Sequence, residues 1–220
     1  MNREPFVTGQ YYHIYNRGVD HRDVFKENAD YWRFLKSLTY FNTNRTFRFG
    51  RINKKEKEEL IKPKPNEWLV EIVCYCLMPN HFHLLVKQLK NGGTAKFLQK
   101  LLTGYTEYVN TKIKRTGVLF QGRTKSKIID NDIYLTHLAR YILLNPIDLI
   151  SAGWEDNKLD WDDISKQVKE YKWSSSYTYF KNFNQDNIIQ GQFKDALDFD
   201  KFISSWKPND KTIVKIVGFD

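Results

Sequence analysis

Two apolar segments separated by a Pro-Asn pair constrain the fold of this chain most strongly. Residues 68–78 read WLVEIVCYCLM and residues 81–88 read HFHLLVKQ, and only Pro79 and Asn80 lie between them. Apolar and β-branched runs bounded by turn residues are typical of β-strands. The pattern therefore predicts two strands that are joined through a tight turn.

The other periodic segments predict two further strands and three helices. Strands are expected over residues 10–17 and 125–129. Apolar residues recur at helical spacing in three segments. The first is residues 28–42, the second begins after Thr94, which can cap it, and the third runs from Asn131 or Asp132 to Leu144. The order β-α-β-β-α-β is the ferredoxin-like arrangement. We therefore predict an α+β fold: a ferredoxin-like palm with an antiparallel sheet and helices on one face, an added helix, and a C-terminal helical extension.

Domain organisation follows from the same pattern. The 220 residues show no internal repeat and no long flexible linker. Residues 1–150 are therefore predicted to form one domain, and residues 151–220 an extension packed on it. Residues 51–67 are charged and broken by prolines, and they are predicted to form a surface excursion.

Positive charge is concentrated in one part of the chain. The formal net charge is +9, and residues 87–127 hold ten Lys or Arg residues against a single acid, Glu107. Such a cluster indicates a polyanionic partner, nucleic acid first, and a solvated basic face is the alternative interpretation.

Cysteine usage and hydropathy indicate the compartment. Cys74 and Cys76 flank one residue of a predicted strand, which suits a disulfide poorly. No apolar run approaches the ~20 residues that a membrane-spanning helix needs. We therefore expect a reduced, cytoplasmic protein without a membrane segment.

The strand at residues 81–88 begins with two histidines on one face. Because side chains alternate along a strand, His81 and His83 point to one side and Phe82 and Leu84 to the other. Two neutral imidazoles at this spacing can bind one divalent metal ion. A pair of hydrogen-bonded structural histidines is the alternative, and a third ligand is needed to decide.

One source of further ligands lies in the hairpin itself. If the loop is only Pro79-Asn80, Cys76 opposes His83 and both cysteines share the face of the histidines, where a zinc ion could be bound. A three-residue loop would turn the cysteines to the other face. Buried core cysteines are the ordinary interpretation.

The other source is the segment ARYILLNP at residues 139–146. Tyr141 and Asn145 are four residues apart and therefore share a helix face. A hydroxyl nucleophile and a neutral oxygen ligand could then face the same metal ion. A core tyrosine and a helix-ending asparagine before Pro146 are the ordinary interpretation.

Five motifs occur together and in a fixed order: RG at 17–18, LMPNHFHLLV at 77–86, GVLFQGR at 117–123, RYILLNP at 140–146 and YKWSS at 171–175. In this order they resemble the REP-associated tyrosine transposases, which are IS200-like members of the single-tyrosine HUH endonuclease superfamily. The resemblance covers about residues 8–180. The charged stretch 51–67 is longer than the family pattern leads us to expect.

The resemblance implies an activity and a site. It implies a transposase that cleaves and rejoins hairpin-containing single-stranded DNA through a 5′-phosphotyrosine, with Mg²⁺ or Mn²⁺ as cofactor. His81 and His83 match the metal-binding pair, and Tyr141 matches the nucleophile on a catalytic helix. Asn145 stands where related transposases place a third polar ligand. Tyr134 and Tyr105 are the alternative nucleophiles.

The implied partner is single-stranded or hairpin DNA, and a homodimer with the tyrosine acting within or across chains is left open. The residues expected to contact DNA are basic: Arg17, Lys96, Lys100, Lys112, Lys114, Arg115, Arg123, Lys125 and Lys127. Neighbouring aromatic residues such as Phe97, Tyr108 and Phe120 can stack bases, although most of them are expected in the core. His13 is expected in the core, with support of the metal site as the alternative. A DNA-binding protein without cleavage activity is the alternative function.

Overall fold

The computed structural model describes residues 5–45, 64–150, 161–181 and 188–189. Within the predicted surface excursion, residues 51–63 lie outside this range, and residues 65–67 form one 3₁₀ turn. Much of the predicted extension, residues 151–160, 182–187 and 190–220, also lies outside the described residues.

In the part of the chain that the structure describes, four strands form one antiparallel sheet: β1 (Tyr11–Arg17), β2 (Val70–Met78), β3 (His81–Gln88) and β4 (Lys125–Ile129). Their order across the sheet is β2-β3-β1-β4. The two β-α-β halves therefore interleave, so that β1 and β3 lie side by side at the centre. The predicted ferredoxin-like palm is confirmed, and the predicted bounds of β3 and β4 agree with the structure.

Six helices accompany the sheet among the described residues: α1 (Asn28–Tyr40), α2 (Gly93–Lys112), α3 (Asp132–Leu144), α4 (Ile147–Ile150), α5 (Trp161–Glu170) and α6 (Ser175–Lys181). None of the helices in the described ranges is both long enough and apolar enough to span a membrane.

Each face of the sheet has its own apolar cluster. Phe82 and Leu84 pack with residues of α1 and α2 on one face. Leu85, Cys76 and Ile142 of α3 belong to the cluster on the other face. We call the latter the histidine face, because strand alternation places His81 and His83 there. The helices that complete the palm thus cover one face, and the added helix α3 covers the other.

Local signals explain where the long helices begin. The Asn131 side chain accepts hydrogen bonds from the backbone N–H groups of Ile133 and Tyr134, so the prediction of an N-cap there is confirmed. The prediction that Thr94 caps α2 is wrong. Gly92 is the N-cap with a left-handed backbone, and the Gln88 side chain accepts the hydrogen bond from the Thr94 N–H.

The segment around the YKWSS motif covers the outer edge of β2. The Leu77 N–H donates to the carbonyl of Trp173 at 2.9 Å, and the Tyr75 N–H donates to Ser175 Oγ at 2.9 Å. The Tyr179 hydroxyl donates to the Val73 carbonyl at 2.7 Å. An uncovered edge strand presents unpaired backbone groups that promote aggregation. The described part of the extension therefore provides hydrogen-bond partners for the backbone groups at the β2 edge of the palm.

Candidate active site

The hairpin that carries the histidines has a two-residue loop. β2 ends at Met78, which pairs with His81, and Cys76 pairs with His83. The two-residue alternative is therefore right, and the cysteines share the histidine face. Cys74 and Cys76 nevertheless pack in the apolar cluster beneath α3. Within the described ranges, no group of three or more His, Cys, Asp or Glu side chains is placed to bind a metal ion, so the zinc interpretation gains no support.

Backbone contacts hold this loop in place. The Pro79 carbonyl accepts hydrogen bonds from the N–H groups of Val24 and Phe25, at 2.8 and 2.9 Å. The Gly18 N–H donates to the Asn80 carbonyl at 2.7 Å. A Cβ at Gly18 would lie 2.1 Å from the Arg22 carbonyl oxygen, so only glycine fits there. The RG and MPN motifs thus meet at the start of β3.

His81 is held between two asparagines. Its Nδ1 lies 2.6 Å from Oδ1 of Asn80, and its Nε2 lies 3.2 Å from Oδ1 of Asn145. The Asn80 Nδ2 donates to the His21 carbonyl at 3.4 Å, which orients the amide so that its oxygen accepts from His81. With the proton on Nδ1, Nε2 of His81 and Oδ1 of Asn145 are both acceptors. Two facing acceptors are the arrangement that a cation site requires.

His83 is fully buried, and its Nδ1 lies 2.8 Å from Nε2 of His13. The two rings are stacked, with centroids 5.1 Å apart, and the ring of Tyr15 lies parallel to both. Because Nδ1 of His83 is engaged by His13, Nε2 is the nitrogen that would bind a metal ion. The alternative prediction that His13 supports the histidine pair therefore agrees with the geometry.

Tyr141 lies on α3, directly across the histidine face. Its ring centroid is 5.5 Å from that of His83, and the two rings are perpendicular. Burial raises the pKa of the Tyr141 hydroxyl, the negative charge of Asp148 raises it further, and a hydrogen bond with Asn145 lowers it. Asn145 therefore faces His81 and also favours ionisation of Tyr141, one helical turn before it.

The histidines of the site are neutral at physiological pH. Burial lowers the pKa of His81 to about 4; a hydrogen bond with Asn145 opposes this shift, and the nearby Arg17 adds to it. Burial, followed by the charge of Lys127, lowers the pKa of His13 to about 3. Burial also holds the pKa of His83 well below its usual value. Neutral imidazoles are the form that binds metal ions.

The donor set fits a divalent cation. Adjacent ligands of an octahedral ion, each about 2.1 Å from it, are roughly 3 Å apart. The 3.2 Å between Nε2 of His81 and Oδ1 of Asn145 is close to this spacing. Two imidazole nitrogens and one amide oxygen leave positions for a substrate oxygen and water. His81 and Asn145 are therefore spaced as ligands of one ion, and the His83 ring lies beside them, with its centroid 5.2 Å from that of His81.

The two alternative nucleophiles differ in position. Tyr105 belongs to the core on the opposite face, fully buried, and its hydroxyl donates to the Val24 carbonyl at 2.8 Å. It therefore lies outside the site. Tyr134 lies on α3 two turns before Tyr141, with the ammonium group of Lys127 5.4 Å from its ring centroid. Its hydroxyl is buried and has no hydrogen-bond partner among the residues that the structure describes.

The predicted DNA-contacting residues fall into separate groups. Lys125 pairs with Tyr15 and Lys127 with His13 across β1 and β4, so both lysines are on the histidine face and both are exposed. Arg17 pairs with His81, and its Nε donates to Gln121 at 2.6 Å. These three residues border the candidate site.

The lysines of α2 are remote from this site, because α2 covers the opposite face. The Lys96 ammonium group donates to the Asn44 side chain, and that of Lys100 donates to the Thr43 and Arg45 carbonyls. Lys112 forms ion pairs with Glu27 and Asp30. The loop between α2 and β4 holds the rest: Lys114, Arg115 and Arg123. The charge cluster of the sequence is therefore divided between the two sides of the sheet.

Asn80 is a site residue that sequence reasoning placed only in a turn. Its position directly before His81 was the available signal, because an asparagine side chain readily hydrogen-bonds to neighbouring groups. Phe97 and Phe120, proposed as residues that could stack bases, are buried in the core, whereas Tyr108 is only half-buried.

The interleaved palm, the histidine pair on one face and the tyrosine-bearing helix across it all lie within one segment of the chain, residues 11–144. Residues 7–145 match the family model described as "Transposase IS200 like". This match spans more than half of the chain, and the chain belongs to that family. No curated protein is similar enough to count as a match.

One solved structure shares the fold over nearly the whole chain. It is described as a REP-associated tyrosine transposase bound to a REP hairpin. It has a TM-score of 0.52 and 14% sequence identity, and the match covers 90% of this chain and 94% of the other. The predicted family resemblance and fold class are therefore confirmed. At this identity the structural likeness concerns the fold alone.

Proposed function

We propose that this transposase is a single-strand DNA endonuclease and strand transferase that acts on hairpin-containing DNA. Tyr141 is the nucleophile, and His81, His83 and Asn145 bind one Mg²⁺ or Mn²⁺ ion. The observation that carries the proposal is that Tyr141 faces His83 across the histidine face, with ring centroids 5.5 Å apart, while Asn145 lies 3.2 Å from Nε2 of His81. The hairpin substrate is suggested by the description of the structural relative.

The reaction is a transesterification in which Tyr141 exchanges places with a DNA oxygen. A bond forms between the tyrosine oxygen and phosphorus while the bond from phosphorus to the 3′ oxygen breaks. The phenol loses its proton and the departing oxygen gains one, which leaves a 5′-phosphotyrosine and a free 3′-hydroxyl. Attack by a 3′-hydroxyl reverses the step, so rejoining needs no external energy source.

The residues of the site divide this work. A bound divalent ion would polarise the scissile phosphate and offset the charge that develops on it. Because burial raises the pKa of Tyr141, the protonated phenol is its resting form, and the hydrogen bond with Asn145 favours its ionisation. Lys125 and Lys127, on the same face, are placed to bind the flanking phosphates.

The same reasoning extends to organisation and location. We propose that residues 1–150 form the catalytic domain and that residues 151–220 pack on it as an extension. The hydrogen bonds between β2 and residues 171–179 support this packing. We propose a cytoplasmic location, supported by the two buried free cysteines.

A covalent-adduct assay tests the nucleophile. The protein is incubated with hairpin-bearing single strands, including the flanks of its own gene, in the presence of Mn²⁺. Denaturing electrophoresis should reveal a protein–DNA adduct that Tyr141→Phe does not form. Tyr134→Phe is the matched control on the same helix and should still form the adduct. An adduct that persists in Tyr141→Phe and disappears in Tyr134→Phe would reassign the nucleophile.

The same assay distinguishes the alternative function. A DNA-binding protein without cleavage activity would bind hairpin DNA with a salt-dependent affinity and form no covalent adduct with any strand. Its affinity would also be indifferent to Tyr141→Phe. The charge on the histidine face fits both functions, whereas the position of Tyr141 across from the histidine pair favours cleavage.

A further inference from the structure

His13 lies directly behind one member of the histidine pair. Its Nε2 is 2.8 Å from Nδ1 of His83, and the side chains are 1% and 0% exposed. The register of the sheet creates this contact. Because Tyr15 pairs with His83, His13 is one diagonal step along β1, within reach of a ring on β3. Stacking against Tyr15, with centroids 4.6 Å apart, fixes the His13 ring.

The chemistry of imidazole restricts how this hydrogen bond can be made. A neutral imidazole has one N–H donor and one acceptor nitrogen. Burial disfavours the charged form, so the bond contains a single proton, on either His83 Nδ1 or His13 Nε2. If His13 donates, the proton of His83 resides on Nε2, which then has no lone pair for a metal ion. Only the Nδ1–H form of His83 can be a ligand through Nε2.

Asn80 performs the equivalent task for His81. The oxygen of its side-chain amide accepts from Nδ1 of His81 at 2.6 Å, because the amide nitrogen donates to the His21 carbonyl. Each histidine of the pair thus has its own partner at Nδ1. One partner is an amide oxygen next in sequence, and the other is an imidazole from the neighbouring strand.

We propose that His13 is a positioning residue that accepts the Nδ1–H of His83 and thereby fixes the tautomer in which His83 binds the metal ion. The inference rests on the proposed function, in which His83 is a ligand. Metal-binding histidines generally donate their second N–H to an acceptor, and loss of that acceptor weakens metal binding by about 10- to 100-fold.

Manganese titration of the DNA-free protein, followed by the paramagnetic resonance signal of free Mn²⁺, tests the role. His13→Phe keeps a flat ring but removes the acceptor, and it should weaken Mn²⁺ binding by about 10- to 100-fold. His13→Gln restores an acceptor oxygen and should remain close to the wild type. Ile14→Val is the matched control, since Ile14 is buried on the same strand but faces the other side of the sheet. It should leave the affinity unchanged.

Nitrogen–proton NMR correlation of the histidine-labelled, metal-free protein provides a second readout. The wild type should carry the His83 proton on Nδ1, and His13→Phe should shift the population toward Nε2–H. A wild-type proton on Nε2, or Mn²⁺ binding by folded His13→Phe as tight as in the wild type, overturns the proposal. If His13→Phe does not fold, the wild-type tautomer alone decides.

The two proposals fail in different ways. One outcome is that the wild type binds no Mn²⁺ while its His83 tautomer still depends on His13. That result contradicts metal binding by His83 but supports His13 as the residue that fixes the His83 tautomer. A protein that binds Mn²⁺ equally well with and without the His13 acceptor retains its metal site and refutes the positioning role.

Discussion

The side-chain oxygen of Asn145 lies 3.2 Å from Nε2 of His81, although 64 residues separate them in the chain. The contact exists because α3 crosses the histidine face and ends beside the start of β3. The last turn of α3 is held from behind, where the Ser176 hydroxyl donates to the Leu143 carbonyl at 2.8 Å. The helix end, and with it the proposed third ligand Asn145, is therefore anchored by the sequence that follows the YKWSS motif.

Replacement of Asn145 should impair metal binding and DNA cleavage and leave the fold intact. Asn145→Ala removes the oxygen that faces His81 and the hydrogen bond to Tyr141, so we expect Mn²⁺ binding to weaken and adduct formation to slow by about 100-fold or more. Asn145→Gln retains an amide oxygen and should recover part of the rate. The measurements are Mn²⁺ titration and the initial rate of adduct formation. An unchanged rate in folded Asn145→Ala would remove Asn145 from the site.

Tyr141 should act on DNA bound by the histidines of its own chain. The ring contact between Tyr141 and His83 is formed within one chain, so no second copy is needed to complete the site. Co-expression of Tyr141→Phe with His81→Ala should therefore yield no adduct, because each chain lacks one essential group.

Adduct formation in the co-expressed pair of variants would contradict this prediction. If the tyrosine acts across a homodimer, mixed dimers contain one intact composite site and form the adduct on the His81→Ala chain. Each variant expressed alone is the negative control, and wild type co-expressed with Tyr141→Phe is the positive one.

DNA affinity should depend on the lysines of the histidine face and not on those of the opposite face. Lys125 and Lys127 border the candidate site, whereas Lys96 and Lys100 contact residues 43–45 on the other side of the sheet. Each phosphate contact to a single strand contributes roughly 0.7 to the dependence of log affinity on log salt. The double variant Lys125→Ala/Lys127→Ala should reduce that slope by about 1.4.

The control has the same change in charge. Lys96→Ala/Lys100→Ala should leave the salt dependence of hairpin binding near that of the wild type. Equal losses in the two double variants, measured by fluorescence anisotropy at several salt concentrations, would show that DNA contacts both sides of the protein.

Sequence patterns predicted those features that depend on local spacing. The alternation of β3 placed His81 and His83 together, and the four-residue spacing of Tyr141 and Asn145 put both on one face of α3. Register across distant strands has no such local signature. The sequence could therefore suggest His13 as support for the site but could not show which histidine it contacts.

The charge cluster shows a second limit of sequence reasoning. Lys112 and Lys127 are fifteen positions apart and of like charge, yet they lie on opposite sides of the sheet. Lys112 forms ion pairs with Glu27 and Asp30 at the start of α1, more than eighty positions away in the chain. Such pairing depends on how α1 and α2 pack, which a count of charges cannot reveal.

Asp30 should make stability dependent on acidic pH. Burial raises the pKa of this carboxyl, but hydrogen bonds from Lys112, Tyr108 and the backbone N–H groups of Lys26 and Glu27 outweigh it and hold the pKa below its usual value. A carboxyl whose pKa is lower in the folded state stabilises the fold above its unfolded value of about 3.9. That stabilisation is lost as the pH falls through the folded value.

Urea denaturation of Asp30→Asn at several pH values tests this relationship. At pH 7 the variant should lose about 1–3 kcal/mol of unfolding free energy, because four hydrogen-bond donors lose the charged acceptor that the buried Asp30 provides. The difference from the wild type should shrink below about pH 4, because the unfolded wild-type chain then binds a proton at Asp30 that the folded chain still excludes. Asp23→Asn, at an exposed carboxyl, is the control and should show little difference at any pH. A constant gap between Asp30→Asn and the wild type down to pH 2 would mean that packing, rather than the charge of Asp30, holds α1 against α2.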